Sequence, residues 1–591
     1  MSTSRSWFFP TSPRSPGKIQ GELRILKKFE GSAWNPYTQT RFMKELARYE
    51  DFEGYGYGRE LAFSARDRIN RAPRLLGFVY LPHKKDQPFI FTGAGNELIN
   101  ANEEELPFLF QRQICKVQFS SPLHNSKGFN QMKIRPLTAM IYLLESLETL
   151  SKEEIALFAL PTLNYEDLDD TIESVEDFRN RRRTGSRAER KSFRELYPEE
   201  RIREIYKEDI ERGEIKTREN EGELATIEEF VRKKISNLRD YADATTRYLR
   251  ATGIFTIDVK TQRLRLSTLN YEDASYLLDK VGLKIVPFES DGYEKYVLEY
   301  LGNPQIPQIR KDDLKSILEG MEKVNSIISR WQPDAAKGYM HEFSFAQNAV
   351  ERRAILQRAS IAASKLSVTA IVKEERRDFQ NSFKRLHDFY EQIADRSSEI
   401  YDRPVQYEWN TWKALELLDH ARLIKPNLTL DVDGSPLTVA GGRKPDIEVE
   451  FSNFWLLVEV TLSSGVRQYE TEGEPIMRHL GEFRKSLKAG GDNRPVYGFL
   501  ISEKIQESVI TYLNQIAYRK SQVYDGYVRI IPLNRSEFEN IVRIAQKLPP
   551  DEVESAIRDI IFYAFEDKMK NYGELDWVQK VLDKISSYLV N

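Results

Sequence analysis

Along this 591-residue chain the spacing of apolar positions switches repeatedly between strand and helix periods. The clearest switch falls between Gly441 and Leu480. Asp446–Phe451 alternates polar with apolar residues, and Phe454–Val460 is an almost continuous apolar run, as a buried central strand would be. Ser452 and Asn453 between them are turn residues, so the pattern predicts a two-residue hairpin. Stepping outward from that turn sets Asp446 opposite Glu459, with Cβ atoms about 4.5–5.5 Å apart. Two carboxylates that close repel each other unless a cation lies between them. A hard divalent ion such as Mg2+ takes carboxylate oxygens and fits the gap. The hairpin therefore points to metal-dependent phosphodiester chemistry.

Elsewhere the periods predict a chain of four parts. Ser6–Pro10 reads as a short strand, and Ser15–Pro16 opens a helix through Leu23, Ile25, Leu26 and Phe29. The loop before that helix carries Arg14 and Lys18 beside helix-start N–H groups, a candidate phosphate cradle or else a capped surface turn. Two later segments share one order: a basic helix ended by Gly, then strand, turn and strand, as in a recognition helix followed by a winged hairpin. The first runs from Phe63 through Gly77 to a strand at Phe89. It would present Arg66, Arg68, Asn70, Arg71 and Arg74 to DNA. The second runs from Leu238 through Gly253 to a strand at Arg263, and would present Arg239, Thr245, Thr246, Arg247 and Arg250. Forked Arg and Asn donors suit base edges in the major groove, although an arginine-rich helix face is more often merely solvated. Between the two, Arg179–Lys191 reads as a mobile basic loop able to follow a phosphate backbone. Leu314, Ile317, Leu318, Met321, Val324, Ile327, Ile328 and Trp331 then recur at helical spacing, with Pro333 breaking that helix.

After these come alternating elements: a helix over Glu408–Ala421, the hairpin, a helix over Glu474–Lys488, a strand at Val496–Ser502, a helix over Ile505–Ile516 and a strand at Tyr527–Pro532. That order predicts a mixed sheet flanked by helices. The expected architecture is multidomain α+β. Residues 1–145 and 146–304 form two winged-helix-like DNA-recognition subdomains, 305–400 a helical linker, and 401–591 a C-terminal α/β domain.

Composition narrows the functional class. Hydrophobic content of 40% and aromatic content of 11% are ample for folded cores. No run approaches the roughly 20 apolar residues of a membrane span, and the N-terminus lacks the pattern of a secretory signal. One cysteine, Cys115, leaves no disulfide framework and no cysteine-based zinc site, so a cytoplasmic protein is expected. Residues 1–135 hold 21 basic and 13 acidic residues, a balance of +8, against −3 for the whole chain. A basic front suits double-stranded DNA, and an acidic rear suits a metal. No Gly-rich nucleotide loop follows a strand, which disfavours a methyltransferase.

Around the hairpin the candidate site widens. Glu459 sits inside an apolar run, where a charge needs a partner. Glu408 lies on the helix that carries Trp412, Leu415 and Leu418. Glu472 and His479 follow on the next segment. Asp446, Glu459, Glu472 and Glu408 would hold one or two Mg2+ ions, with His479 as base or as the group that orients a water. The bland alternative is a core histidine among scattered surface acids.

Pro445-Asp446 followed by Glu459-Val460-Thr461 resembles the PD-(D/E)XK nuclease superfamily, with Thr461 where a lysine is expected. His479 or Lys485 would then fill the cationic role. The segments SPRSPGKIQ, DATTRYLRATGIF, YEWNTW and PDIEVE through EPIMRH are similar to the nicking and Type IIS restriction endonucleases of the AlwI–BstNBI group. That resemblance implies two winged-helix subdomains, a helical linker and a PD-(D/E)XK domain. It also implies cleavage a few base pairs outside an asymmetric five-base-pair site, GAGTC in the nearest members. Carried over by motif position, Glu408, Asp446, Glu459, Glu472 and His479 would be catalytic, and the resemblance implies a separate methyltransferase that protects host DNA. Members nick one strand as monomers, dimerise, or recruit a small second catalytic subunit. A winged-helix regulator with an inert C-terminal domain is the competing class.

Overall fold

The computed structural model describes residues 5–48, 60–84, 86–124, 128–215, 226–289, 292–395, 398–418, 421–439 and 444–590. Gly441–Arg443, which open the stretch read above, lie outside the described residues. The chain divides into two compact units: residues 1–364 with 431–435, and residues 365–430 with 436–591.

The first unit is mostly helical. Ser6–Pro10 forms no strand. Its backbone is irregular, Trp7 and Phe9 are buried, and the Trp7 N–H donates to Leu160 O at 3.1 Å. Alternation of apolar residues over so short a span serves core anchoring as well as pairing. Both expected hairpins are present. Val79–Tyr80 pairs antiparallel with Ile90–Phe91 after the helix Leu61–Ile69 and a short turn of helix at Ala72–Leu75. Phe255–Asp258 pairs with Arg263–Leu266 after the helix Ile227–Ala251, and Thr149–Leu150 adds a third strand.

The basic run Arg179–Lys191 is helix rather than loop. Leu168–Arg183 and Arg187–Ile205 meet at a break where Gly185 adopts φ +88° and Ser186 caps the second helix, its hydroxyl accepting from the Glu189 N–H. A capping box and straight-chain Arg, Glu and Lys favour helix strongly enough to override charge density.

Two ties knit early and late parts of this unit. Lys116, fully buried, donates to the carbonyls of Leu301 and Asn303 at 2.7 and 2.8 Å. Gly77 adopts φ +71°, and a Cβ there would stand 2.5 Å from Leu301 Cβ. G77A therefore adds both left-handed strain and a clash, with an expected loss of about 2–4 kcal/mol. G282A, at φ +69° in open space, carries strain alone and should cost only about 1 kcal/mol. Urea unfolding followed on both variants checks the difference.

The helix Leu314–Ser329 buries Ile317, Met321, Val324 and Ile328, and Pro333 begins the next helix. The stretch Ala349–Ala394 reaches a mean hydropathy of 1.2 over 18 residues, enough to cross a membrane by length and composition alone. Its Ile355, Leu356, Ala359 and Ala363 are buried inside the fold.

The second unit is built on a five-stranded sheet. Its strands are β1 (Leu423–Pro426), β2 (Ile447–Glu450), β3 (Trp455–Thr461), β4 (Val496–Ser502) and β5 (Ile530–Asn534), lying in sequence order. β1, β2 and β3 pair antiparallel, and β3, β4 and β5 pair parallel. β2 and β3 take the register expected from a two-residue turn: Glu450 opposes Trp455, and Ile447 opposes Val458.

Helix α1 (Arg403–Leu417) covers one face of the sheet, where Trp409, Trp412 and Leu415 share a core with Leu456 and Val458. Helix α2 (Val466–Ala489) covers the other, where Ile476 and Leu480 pack with Trp455 and Leu457. The expected start of α2 at Glu474 is too late by two turns. Pro475 is interior, at a cost in one backbone bond, because Gln468 secures the extra turns. Gln468 is fully buried and donates to Ser463 O, Ser502 Oγ and Lys504 O at 3.0–3.1 Å.

Candidate active site

The site gathers where β2 begins and β3 ends. Asp446 directly precedes β2, and its Oδ2 accepts the Val460 N–H at 2.7 Å. That bond continues the hairpin by one step, so Asp446 lies beside the Glu459–Val460 peptide as the register requires. Glu459 points to the α2 face, where its Oε1 lies 2.8 Å from His479 Nδ1. Thr461, two residues on and therefore on the same face, donates its hydroxyl to Glu472 Oε1 at 2.7 Å. Glu408, on α1, is buried at 4% exposure.

Electrostatics show Asp446 under the influence of the other acids. The Asp446 carboxyl is held well above the ordinary carboxylate range, first by burial and then by the negative charges of Glu408, Glu459 and Glu472, with the Val460 N–H opposing. Glu408 on α1, Glu459 on β3 and Glu472 on α2 are thus the charges that Asp446 feels. Among the described residues no three acids or histidines stand as a ready-closed metal-binding set, as like charges without a counter-ion would have it. In residue type the set suits a hard cation, since it offers carboxylate oxygens from separate elements.

Lys485, the alternative cation, is exposed on α2. It lies about 9 Å along the helix axis beyond His479. Sequence reasoning set Asp446 beside Glu459 through the hairpin register. It missed what Thr461 does, because a hydroxyl in place of a lysine reads as a loss until α2 is folded over it.

In the first unit the candidate DNA contacts separate. Arg66 and Lys18 are exposed. Arg14 is partly exposed and pairs with Asp240 at 3.5 Å, and Arg239 lies 3.7 Å from Glu153. Arg68 is drawn inward to Glu22, Arg71 pairs with Asp67 at 2.5 Å, and Arg247 pairs with Asp243 at 3.1 Å. Asn70 accepts from Trp34 Nε1 at 2.8 Å, and Arg74 donates to the Tyr293 hydroxyl at 3.1 Å. Thr245, Thr246 and Arg250 are buried, which corrects the expectation that they lie on a wet helix face. Arg250 donates to Asp431 at 2.9 Å. The helix packs on several sides, so its polar residues cannot all face solvent.

The profile of the AlwI restriction endonuclease family matches residues 75–541, which takes in the second hairpin, α1, the five strands and all the candidate acids. The class is therefore a DNA endonuclease of a restriction system. More narrowly, the chain belongs to the AlwI restriction endonuclease family. Among solved structures it is similar to the small subunit (R.BspD6I2) of the heterodimeric restriction endonuclease R.BspD6I, with 24% identity over 34% of this chain and 98% of that one at a TM-score of 0.27. It is also similar to the BpuJ1 endonuclease binding domain, crystallised with modified DNA, with 15% identity over 48% of this chain and 90% of that one at a TM-score of 0.30. The restriction endonuclease FokI matches at 12% identity over 82% of this chain and 80% of that one, at a TM-score of 0.20. No curated protein matches.

Proposed function

We propose that this restriction endonuclease uses Mg2+ to hydrolyse one phosphodiester bond a few base pairs outside a short asymmetric site, GAGTC or close to it, and nicks one strand as a monomer. The observation that carries the chemistry is the Asp446 carboxyl, bound to the Val460 N–H and held above its ordinary range first by burial and then by Glu408, Glu459 and Glu472. Glu408, Asp446, Glu459 and Glu472 would hold the ion, which when bound would supply charge neutralisation at the phosphate and a more acidic water. His479, placed 2.8 Å from Glu459, orients that carboxylate and would take a proton from the attacking water. Thr461 supplies no cation, so the acids and His479 carry the work of the missing lysine.

The two helix–hairpin elements of the first unit would act as winged-helix-like readers. Arg14, Lys18, Arg66 and Arg239 are the cations most open to a phosphate backbone, and Arg71, Arg74 and Arg247 would need to leave their present partners. A separate methyltransferase would protect host sites.

One catalytic set per chain favours nicking. A double-strand cutter would need a second copy or a small partner subunit. Supercoiled plasmid incubated with Mg2+ distinguishes these outcomes. The expectation is open circles that do not become linear, no reaction in chelator, and run-off sequencing that stops on one strand at a fixed offset. Prompt linear product would replace nicking by paired cleavage, and unchanged plasmid at high enzyme would overturn the nuclease assignment.

A further inference from the structure

A polar seam joins β3 to α2. On one face of β3 the side chains of Trp455, Leu457, Glu459 and Thr461 follow at two-residue spacing. α2 lies along them in the opposite direction. Thr461 meets Glu472 at 2.7 Å and Glu459 meets His479 at 2.8 Å, and the Trp455 and Phe483 rings stand 5.3 Å apart. Ile476 and Leu480 pack with Leu457 in the apolar part of this contact. Two steps of the strand, about 7 Å, therefore match roughly two turns of the helix, about 10 Å.

At the end of this seam the Thr461 hydroxyl has a single proton to give, and it goes to Glu472. Its oxygen also accepts the Ser463 N–H at 3.0 Å, which fixes the turn that leaves β3. A β-branched side chain buried at 7% exposure and held at both ends has essentially one rotamer. We propose that Thr461 is the positioning residue for Glu472, occupying the place where related nucleases carry a lysine and aiming an acid there instead of supplying a charge. The inference rests on the nuclease reading of the site given above. It explains why the substitution of threonine for lysine is not a simple loss. A lysine at 461 would set a positive charge against Glu472, where the threonine sets a neutral donor. An ordinary surface role is inconsistent with a hydroxyl that is buried, doubly hydrogen-bonded and directed at a carboxylate whose charge reaches Asp446.

The test uses the full chain with T461V, T461S, T461K and D446N. It reads single-turnover cleavage, Mn2+ binding by titration calorimetry without DNA, and DNA affinity. Loss of a hydrogen bond to a charged group predicts a cleavage rate about 10- to 100-fold lower for T461V, with Mn2+ binding weakened several-fold and DNA affinity within about twofold of wild type. T461S restores the donor and should recover to within about threefold of wild type. T461K should be no faster than T461V. The inference is overturned if T461V binds Mn2+ and cleaves as wild type does, or if T461K equals or exceeds wild type, which would mean that a vacant cationic role had been refilled. D446N separates the two levels. If D446N is inert while T461V is unchanged, only the role of Thr461 fails. If D446N cleaves normally, the nuclease reading of the site fails with it.

Discussion

D446N is expected to lose at least about a thousandfold in cleavage rate, equivalent to roughly 4 kcal/mol of transition-state stabilisation, while the metal-free protein becomes more stable at neutral pH. Both effects come from the same geometry. Asp446 sits among Glu408, Glu459 and Glu472, and its carboxyl is held well above the usual range by burial and by those three charges. A carboxyl whose folded-state value exceeds its unfolded value of about 3.9 contributes stability below that value and loses it as pH rises through the folded value. Metal-free wild type should therefore weaken on going from acid towards neutral pH more steeply than D446N, and the two should converge near pH 4. Mg2+ should stabilise wild type more than D446N, since a ligand stabilises the fold only as far as it binds it. Thermal unfolding across pH, with and without Mg2+, measures all three effects. Parallel pH curves for the two proteins would show that Asp446 does not feel its neighbours, and the convergence of the acids would have to be abandoned.

The second large effect is on stability. In the first unit Asp431 accepts from Arg250 Nη2 at 2.9 Å and from Thr256 Oγ1 at 2.7 Å, with both ionic partners at most 5% exposed. Its other oxygen accepts the N–H groups of Asp433 and Ser435 at 3.1 and 2.9 Å, and Asp433 accepts from Ser267 Oγ at 2.6 Å. D431N keeps the shape but removes the charge that answers a buried guanidinium, so about 3–5 kcal/mol should be lost. Because the pair is buried, the loss should be nearly independent of salt. Peptide-resolved hydrogen exchange should show it first in the Phe255–Leu266 hairpin. Exchange equal to wild type would mean that the charge of Arg250 is met by other groups.

Much of the second unit was legible because its signals are local. A strand period of two and a two-residue turn fix the register of β2 against β3, and a register once fixed decides which side chains lie side by side. Asp446 beside Glu459 followed from that alone, and so did the expectation that a cation belongs between them. The strand at Val496–Ser502 was read to the residue, since a continuous apolar run bounded by polar residues leaves few other registers for a buried central strand.

Where reading failed, most of the deciding contacts join residues far apart in sequence. Thr245, Thr246 and Arg250 look wet on a helical wheel, yet the helix Ile227–Ala251 is packed on more than one side. α2 starts at Val466 because Gln468 finds acceptors on the loops after β3 and β4, not because Pro475 marks a first turn. The run Arg179–Lys191 became helix through a cap whose Ser and Glu were in plain view but were outweighed by charge. The chain by itself determined the strand register, the place of Asp446 beside Glu459 and the family. Only the tertiary structure decided that Thr461 is a donor aimed at Glu472, because a hydroxyl has no preferred partner until packing brings an acid within 2.7 Å of it.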